Sequence, residues 1–486
     1  MKHVLALTAA SLLSLVASIS AREAAAADDW IVLFDGESLS GWQAAEHPES
    51  FSVRDGAIVC NGPRAHLFYR GEVADADFRN FELKATIKTA PGADSGLFFH
   101  TAFQRRGVPR KGYEIQIDNT FPGSGERDRF SKTGSLDGVR NQYKSLVADN
   151  EWFTVHVVVT GKRIRVLVND VTVVDYTEPA EPVRDRRRQE RLLSRGTFAL
   201  QCHDPQGTVY FKDVMVRPLP DDLDAPPLPQ SAVDPTYAEI LNLHQGNFPL
   251  VDFHVHLKGG LTLEEALANS RKTGINYGIA PNCGLGFPIT DDEGVAEFLA
   301  GMQGQPAFVG MQAEGREWVN LFSKEAIEKF DYVFTDAMTF TDDRGKRTRL
   351  WIKEEVQIDD KQAFMEMYVD RILSVLNNEP IDIYVNPTFL PECIAGEYDA
   401  LWTEQRMQKV IDAAVRNGVA IEINARYRLP SPAFIKRAKQ AGVKFSFGTN
   451  NGGRDLDRLE YGLEMIERCG LTPRDMFMPR QCELKE

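Results

Sequence analysis

Two short stretches of this chain place reactive side chains at strand spacing. The first is Tyr113-Glu114-Ile115-Gln116-Ile117-Asp118. Successive side chains of a strand point to opposite faces, so Glu114, Gln116 and Asp118 share one face and Tyr113, Ile115 and Ile117 the other. Gln201 and His203 alternate in the same way around Cys202. A carboxylate and an imidazole on one sheet face can act as base and acid. The wet face of an ordinary antiparallel sheet shows the same alternation. The second stretch is Leu250-Val251-Asp252-Phe253-His254-Val255-His256, whose Asp252, His254 and His256 face one way. Two imidazoles at i and i+2 can converge on one metal, with Asp252 orienting a ring. Glu114 and Asp118 are four residues apart on a strand, so their Cα atoms lie about 13 Å apart. Glycosidase carboxyl pairs sit about 5 to 9.5 Å apart, which disfavours that mechanism here.

The elements that must hold these side chains have two textures. From Trp30 to Leu219 the chain reads as short strands, such as 81–87, 153–159 and 164–168, separated by Gly, Asn and Asp turns. Many alternating strands without long helices predict a β-sandwich or jelly roll. The basic run Arg184 to Arg191 interrupts them. It reads as a solvated loop or short helix, with a small anion site as the alternative. Proline and aspartate then mark a linker, assigned to residues 221–248. From Pro249 onward apolar strands alternate with amphipathic helices, with strands at 250–255, 277–280, 307–311, 332–335, 382–385, 420–423 and 444–447. That order predicts a parallel α/β barrel of the TIM type, or a distorted seven-stranded relative, over 249–486.

Composition narrows the function. The 486 residues carry 56 Lys and Arg against 70 Asp and Glu, a formal net charge of −14. That balance disfavours a nucleic-acid binder, which needs a basic face for phosphate. Lys2 and His3, the apolar run Val4 to Ile19 and the alanines 24–27 match a secretory signal peptide over 1–27. No other stretch is apolar enough to span a bilayer, so a periplasmic or secreted protein without stable membrane insertion is expected. The domain plan is therefore 1–27 signal, 28–220 sandwich, 221–248 linker and 249–486 barrel. Six cysteines without a close pairing pattern predict mostly buried free thiols. Gly123-Ser124-Gly125 lacks the third glycine of a dinucleotide loop, so no nucleotide cofactor is expected.

Five ordered motifs of the first domain carry a family resemblance. They are Leu33 to Trp42, Phe51 to Ile58, Asp94 to Phe99, Gly112 to Asp118 and Gly196 to His203. Together they resemble the 3-keto-glycoside lyase/hydratase family, also called the 3-keto-disaccharide hydrolase domain, from about Trp30 to Leu219. The resemblance implies a concanavalin-like jelly roll acting on glycosides whose C3 hydroxyl has become a ketone. The ketone acidifies the C2 hydrogen, so base-catalysed elimination can break the C1–O bond. Glu114 and His203 become the acid/base candidates, with Gln116 and Asp118 positioning sugar hydroxyls or a metal. His100 is a weaker candidate. A separate oxidoreductase would have to supply the ketone.

The His-x-His strand resembles the first strand of the PHP and amidohydrolase families of metal-dependent hydrolases. Those families draw further histidines from later strands. All nine histidines of this chain lie at or before His256, so that fuller site cannot be built. Glu314 and Asp336 fall at later strand ends, where a barrel site lies. One Mn, Zn or Fe ion held by His254, His256, Glu314 and Asp336 is one reading, and a metal-free, substrate-binding or structural barrel is the other. The leading reading is an exported enzyme that cleaves or hydrates 3-keto-glycosides and carries a hydrolase-like barrel. The alternatives are a sugar-binding jelly roll attached to a catalytic metal-dependent barrel, and a non-enzymatic glycan binder.

Overall fold

The structure is a computed structural model that describes residues 29–120, 130–203, 205–341, 345–456 and 458–479. The expected signal peptide, the Gly123–Gly125 segment and Cys482 lie outside the described residues. Between residues 31 and 219 the chain forms two antiparallel sheets, of eight and five strands. The long strand Asn80–Thr89 shows why they stack. Its even-spaced apolar residues Phe81, Leu83, Ala85 and Ile87 are buried, while residues between them reach toward water. Strands Arg163–Val168 and Val171–Thr177 join through Asn169 and Asp170, both at positive φ (46° and 64°). A two-residue turn of this kind needs left-handed backbone, which Asn and Asp tolerate.

The five-stranded sheet carries the candidate chemistry. Its strand order is Trp42–Ala45, Ala65–Tyr69, Thr197–Cys202, Asp94–Thr101, Tyr113–Asp118. Tyr113, Ile115 and Ile117 point into the core between the sheets, as the alternation predicts. The opposite face is not an ordinary wet face, because every residue of Tyr113–Asp118 is buried.

Seven parallel strands close the second half into a barrel. In order they are Val251–Val255, Asn276–Ile279, Phe308–Ala313, Tyr332–Thr335, Ile383–Tyr384, Ala420–Asn424 and Phe445–Gly448. Closure comes from the first strand, which pairs with both the second and the last. Tyr332 fills the interior and donates to the Phe253 carbonyl at 2.7 Å. Gly278 and Gly310 make room for its ring: a Cβ at Gly310 would stand 2.3 Å from Tyr332 Cζ. Between the fourth and fifth strands lie a hairpin, Thr339–Thr341 with Arg347–Arg349, and the helix Lys361–Asn378. Sequence reading had placed neither.

The segment 221–248 is not a solvated tether throughout. Pro235–Gln245 is a helix whose Ile240, Leu241 and His244 are buried. Asp234 caps it by accepting from the Tyr237 N–H at 2.8 Å, and Pro235 occupies the first turn. The proline read as a breaker is here a helix opener. Around this helix the sandwich meets the barrel. Tyr143 donates to the Phe248 carbonyl (2.7 Å), Lys144 Nζ reaches Asp331 (2.8 Å), and Asn276 accepts from the Tyr143 N–H (3.1 Å). Asn276 begins a barrel strand and Asp331 precedes one, so the sandwich docks at the strands' N-terminal ends. The barrel mouth lies at the other end.

Candidate functional site

The sheet register builds the sandwich site. Glu114 lies opposite Phe98, Gln116 opposite Gly96 and Asp118 opposite Asp94. Gly96 leaves space for the Glu114 carboxyl, because a Cβ there would stand 2.6 Å from Glu114 Oε1. On the next strand Gln201 lies opposite His66, their Nε2 atoms 3.3 Å apart. Burial, with Arg64, Arg191 and His203 adding repulsion, pushes the His66 pKa down to about 3. Its ring is therefore a neutral partner for Gln201 at ordinary pH.

Glu114, Gln201 and His203 line one cavity of about 460 Å³. Arg191 Nη2 donates to Glu114 Oε2 at 3.1 Å, and its guanidinium lies 5.4 Å from the Phe98 ring centre. His203 is half-buried and its Nε2 stands 3.4 Å from Asp94 Oδ2. Gln116 and Asp118 are on the expected face but outside the cavity lining, with no measurable exposure. Gln116 donates to Asp94 Oδ1 at 2.6 Å, and Asp118 accepts from Lys132 Nζ at 3.0 Å. Contact between these two and a substrate is thus not what the geometry offers. They brace Asp94 and the strand.

His100 is held by backbone on both sides. Its Nε2 lies 2.8 Å from the Arg79 carbonyl and its Nδ1 accepts from the Ser194 N–H at 3.2 Å. Burial pushes its pKa down to about 4. The basic run is a solvated face only in part: Arg186 and Arg187 are exposed, while other members turn inward. Arg184 donates to the Tyr113 hydroxyl (2.6 Å) and Arg191 is 8% exposed. Asp94, Arg191 and His66 were missed as site residues. Asp94 was in view within Asp94 to Phe99, but only the strand pairing shows that it bridges Gln116 and His203.

The barrel mouth gathers the second set. His254 Nδ1 lies 2.5 Å from Glu422 Oε1, and Glu422 Oε2 accepts from the Asn386 N–H (2.7 Å). His254 Nε2 is buried without a hydrogen-bond partner. His256 Nδ1 lies 2.7 Å from the Ala280 carbonyl, and burial drives its pKa well down. Glu314 accepts from Asn282 (2.8 Å) and Gln312 (3.1 Å), and Asp336 accepts from Asn386 (2.8 Å). Burial, then the nearby Asp336, pushes the Glu314 pKa up to about 8; burial also raises that of Asp336. Asp252 is not beside the rings' free nitrogens. It accepts from the His254 and Thr449 N–H groups at 3.0 Å each.

His256, Glu314 and Asp336 line one cavity of about 270 Å³, with His254 behind them. Yet among the described residues no three His, Cys, Asp or Glu side chains are grouped closely enough to hold a metal ion. Amide donors reach Glu314 Oε1 and Asp336 Oδ2. None of the five described cysteines is joined in a disulfide, and four of them are buried. Among the described residues no helix is long and apolar enough to cross a membrane.

Comparison with known proteins bears on the sandwich. Residues 29–217 match the 3-keto-alpha-glucoside-1,2-lyase-like domain family. A 3-keto-disaccharide hydrolase from Bacteroides thetaiotaomicron is 33% identical over 85 residues, covering 15% of this chain and 28% of that protein. The chain thus spans under a third of the curated relative that it matches. Among solved structures, a candidate glycosyl hydrolase from Parabacteroides distasonis aligns with a TM-score of 0.35 and 21% identity, over 40% of this chain and 95% of that one. A carbohydrate binding module from Bacillus subtilis aligns with a TM-score of 0.25 and 13% identity, over 36% and 95%. Residues 29–217 are thus similar to the 3-keto-glycoside lyase-like family.

Proposed function

We propose that the sandwich cleaves or hydrates 3-keto-glycosides by elimination across C2–H and C1–O. The observation that carries this is the opening of Glu114, on one strand, and His203, just past the end of another, into one cavity of a domain matched to that family. Glu114 removes the C2 hydrogen, which the C3 ketone makes acidic, and the electron pair forms an enolate. Its collapse restores the ketone, places the double bond between C1 and C2, and expels the aglycone oxygen. His203, oriented by Asp94, donates the proton that this oxygen takes up. Arg191 stands beside the base with Nη1 buried and without a hydrogen-bond partner, ready to donate to the enolate oxygen. Water added across C1=C2 yields the free 3-keto sugar; otherwise the unsaturated ketone leaves as product.

The protein works outside the cytoplasm in this reading, in the periplasm or secreted, on the strength of the N-terminal residues 1–27. A separate oxidoreductase supplies the ketone. Glu114→Gln keeps the shape and removes the base. Turnover of a phenyl 3-keto-glucoside should fall by about 100-fold or more. Unchanged turnover would remove Glu114 from the mechanism.

A further inference from the structure

We propose that the sandwich cavity takes glycosides bearing an anionic group, such as a carboxylate, and that Arg110 and Arg187 form the subsite for it. The proposal rests on the reading of this cavity as the 3-keto-glycoside site. Five arginines line the cavity against two carboxylates, Glu114 and Asp137. This is a local excess of positive charge in a chain whose net charge is −14.

Three of the five have partners. Arg191 pairs with Glu114 at 3.1 Å. Arg188 pairs with Asp185 at 2.7 Å and lies 3.8 Å from Asp137. Arg64 lies 3.8 Å from Glu46. Arg110 and Arg187 make no ion pair among the described residues, and both are exposed at the rim. They come from distant parts of the chain, so no local sequence bias explains their meeting. Like charges gathered on the wall of a cleft repel one another and focus the field into it. A guanidinium matches a carboxylate, sulfate or phosphate through paired N–H donors.

Deeper in the site, Gln201 lines the cavity and its Oε1 is buried without a hydrogen-bond partner. A buried polar atom left unsatisfied is costly, and a sugar hydroxyl supplies the donor that Gln201 Oε1 lacks. The division of labour is thus neutral hydrogen bonding at the floor and anion binding at the rim.

The test uses the full chain and two readouts. Calorimetry compares D-glucuronate with D-glucose. Kinetics compare the 3-keto-glucoside of phenol, the 3-keto-glucoside of 4-hydroxybenzoate and the 3-keto-glucuronide of phenol. The second and third substrates place the carboxylate on the aglycone and on the sugar respectively. At least one carboxylate-bearing substrate should exceed the neutral one in kcat/KM by roughly tenfold or more. Glucuronate should bind more tightly than glucose, and both preferences should shrink with added salt. The double variant R110A/R187A should lose them. Equal or weaker binding of the anions overturns the proposal, and so does a preference that survives in the double variant. If no glycoside is cleaved at all, the elimination reading fails, and the glucuronate preference alone decides the anion subsite.

Discussion

At the scale of single residues, the candidate base depends on a neighbour that has no side chain. Glu114 occupies space that Gly96 leaves open: a Cβ there would stand 2.6 Å from Glu114 Oε1 and 3.1 Å from Phe98 Cε2. Gly96→Ala should push the carboxyl away from Arg191 and from the cavity. A misplacement near 1 Å costs on the order of 100-fold in rate. The expected result is a fall in kcat well beyond any rise in KM, with a melting temperature that still reports a folded protein. Unaltered kcat would show that the carboxyl position does not govern the reaction. The partners of Glu114 also explain what the sequence concealed. Arg191 is 77 residues away along the chain, so a local window reads it only as one member of a basic run.

At the scale of elements, alternation and order were legible because each strand carries its own signature. The barrel strands expected at 277–280, 332–335 and 420–423 are found at Asn276–Ile279, Tyr332–Thr335 and Ala420–Asn424. Which strand-end side chains converge was not legible, because this depends on barrel closure and on competing amide donors. His256, Glu314 and Asp336 do line one mouth with His254 behind them, and Asn282, Gln312 and Asn386 donate to the two acids. Protein exposed to excess Mn, Zn or Fe and then desalted should keep less than one equivalent of metal by elemental analysis. One retained equivalent, lost in His254→Ala, would show that the mouth rearranges around an ion.

At the scale of the whole molecule, the two halves share a buried junction centred on His244. Its Nε2 lies 3.0 Å from the Gly274 carbonyl, while Nδ1 accepts from the Asn141 N–H at 3.3 Å and faces the Tyr143 hydroxyl at 3.2 Å. Only the neutral ring satisfies both sides, since a proton on Nδ1 would oppose the Asn141 donor. Burial, with Arg140 adding repulsion, pushes the pKa down from 6.5 to about 3. The unfolded chain therefore takes up this proton before the folded one does. The stabilising contribution is complete above pH about 6.5 and is lost as pH falls from there toward about 3. Denaturant titrations of wild type and His244→Gln at several pH values should show the stability gap changing across that window. A constant gap would mean that His244 does not titrate on unfolding. The same junction predicts that halves cut at the linker expose buried surface that the intact chain covers.

By itself the sequence determined the two textures, the alternating strands, the seven barrel strands in parallel order and the motifs of a 3-keto-glycoside lyase-like domain. These are properties of spacing along the chain, and spacing survives without coordinates. Only the tertiary structure decided that the basic run folds over the sheet to meet Glu114, and that Asp94 joins Gln116 to His203. It also turned the end of an expected tether into a packed helix, and bound the barrel's acids to amides. Each of these is a contact between residues far apart in sequence, where register, burial and competition among donors select the partner.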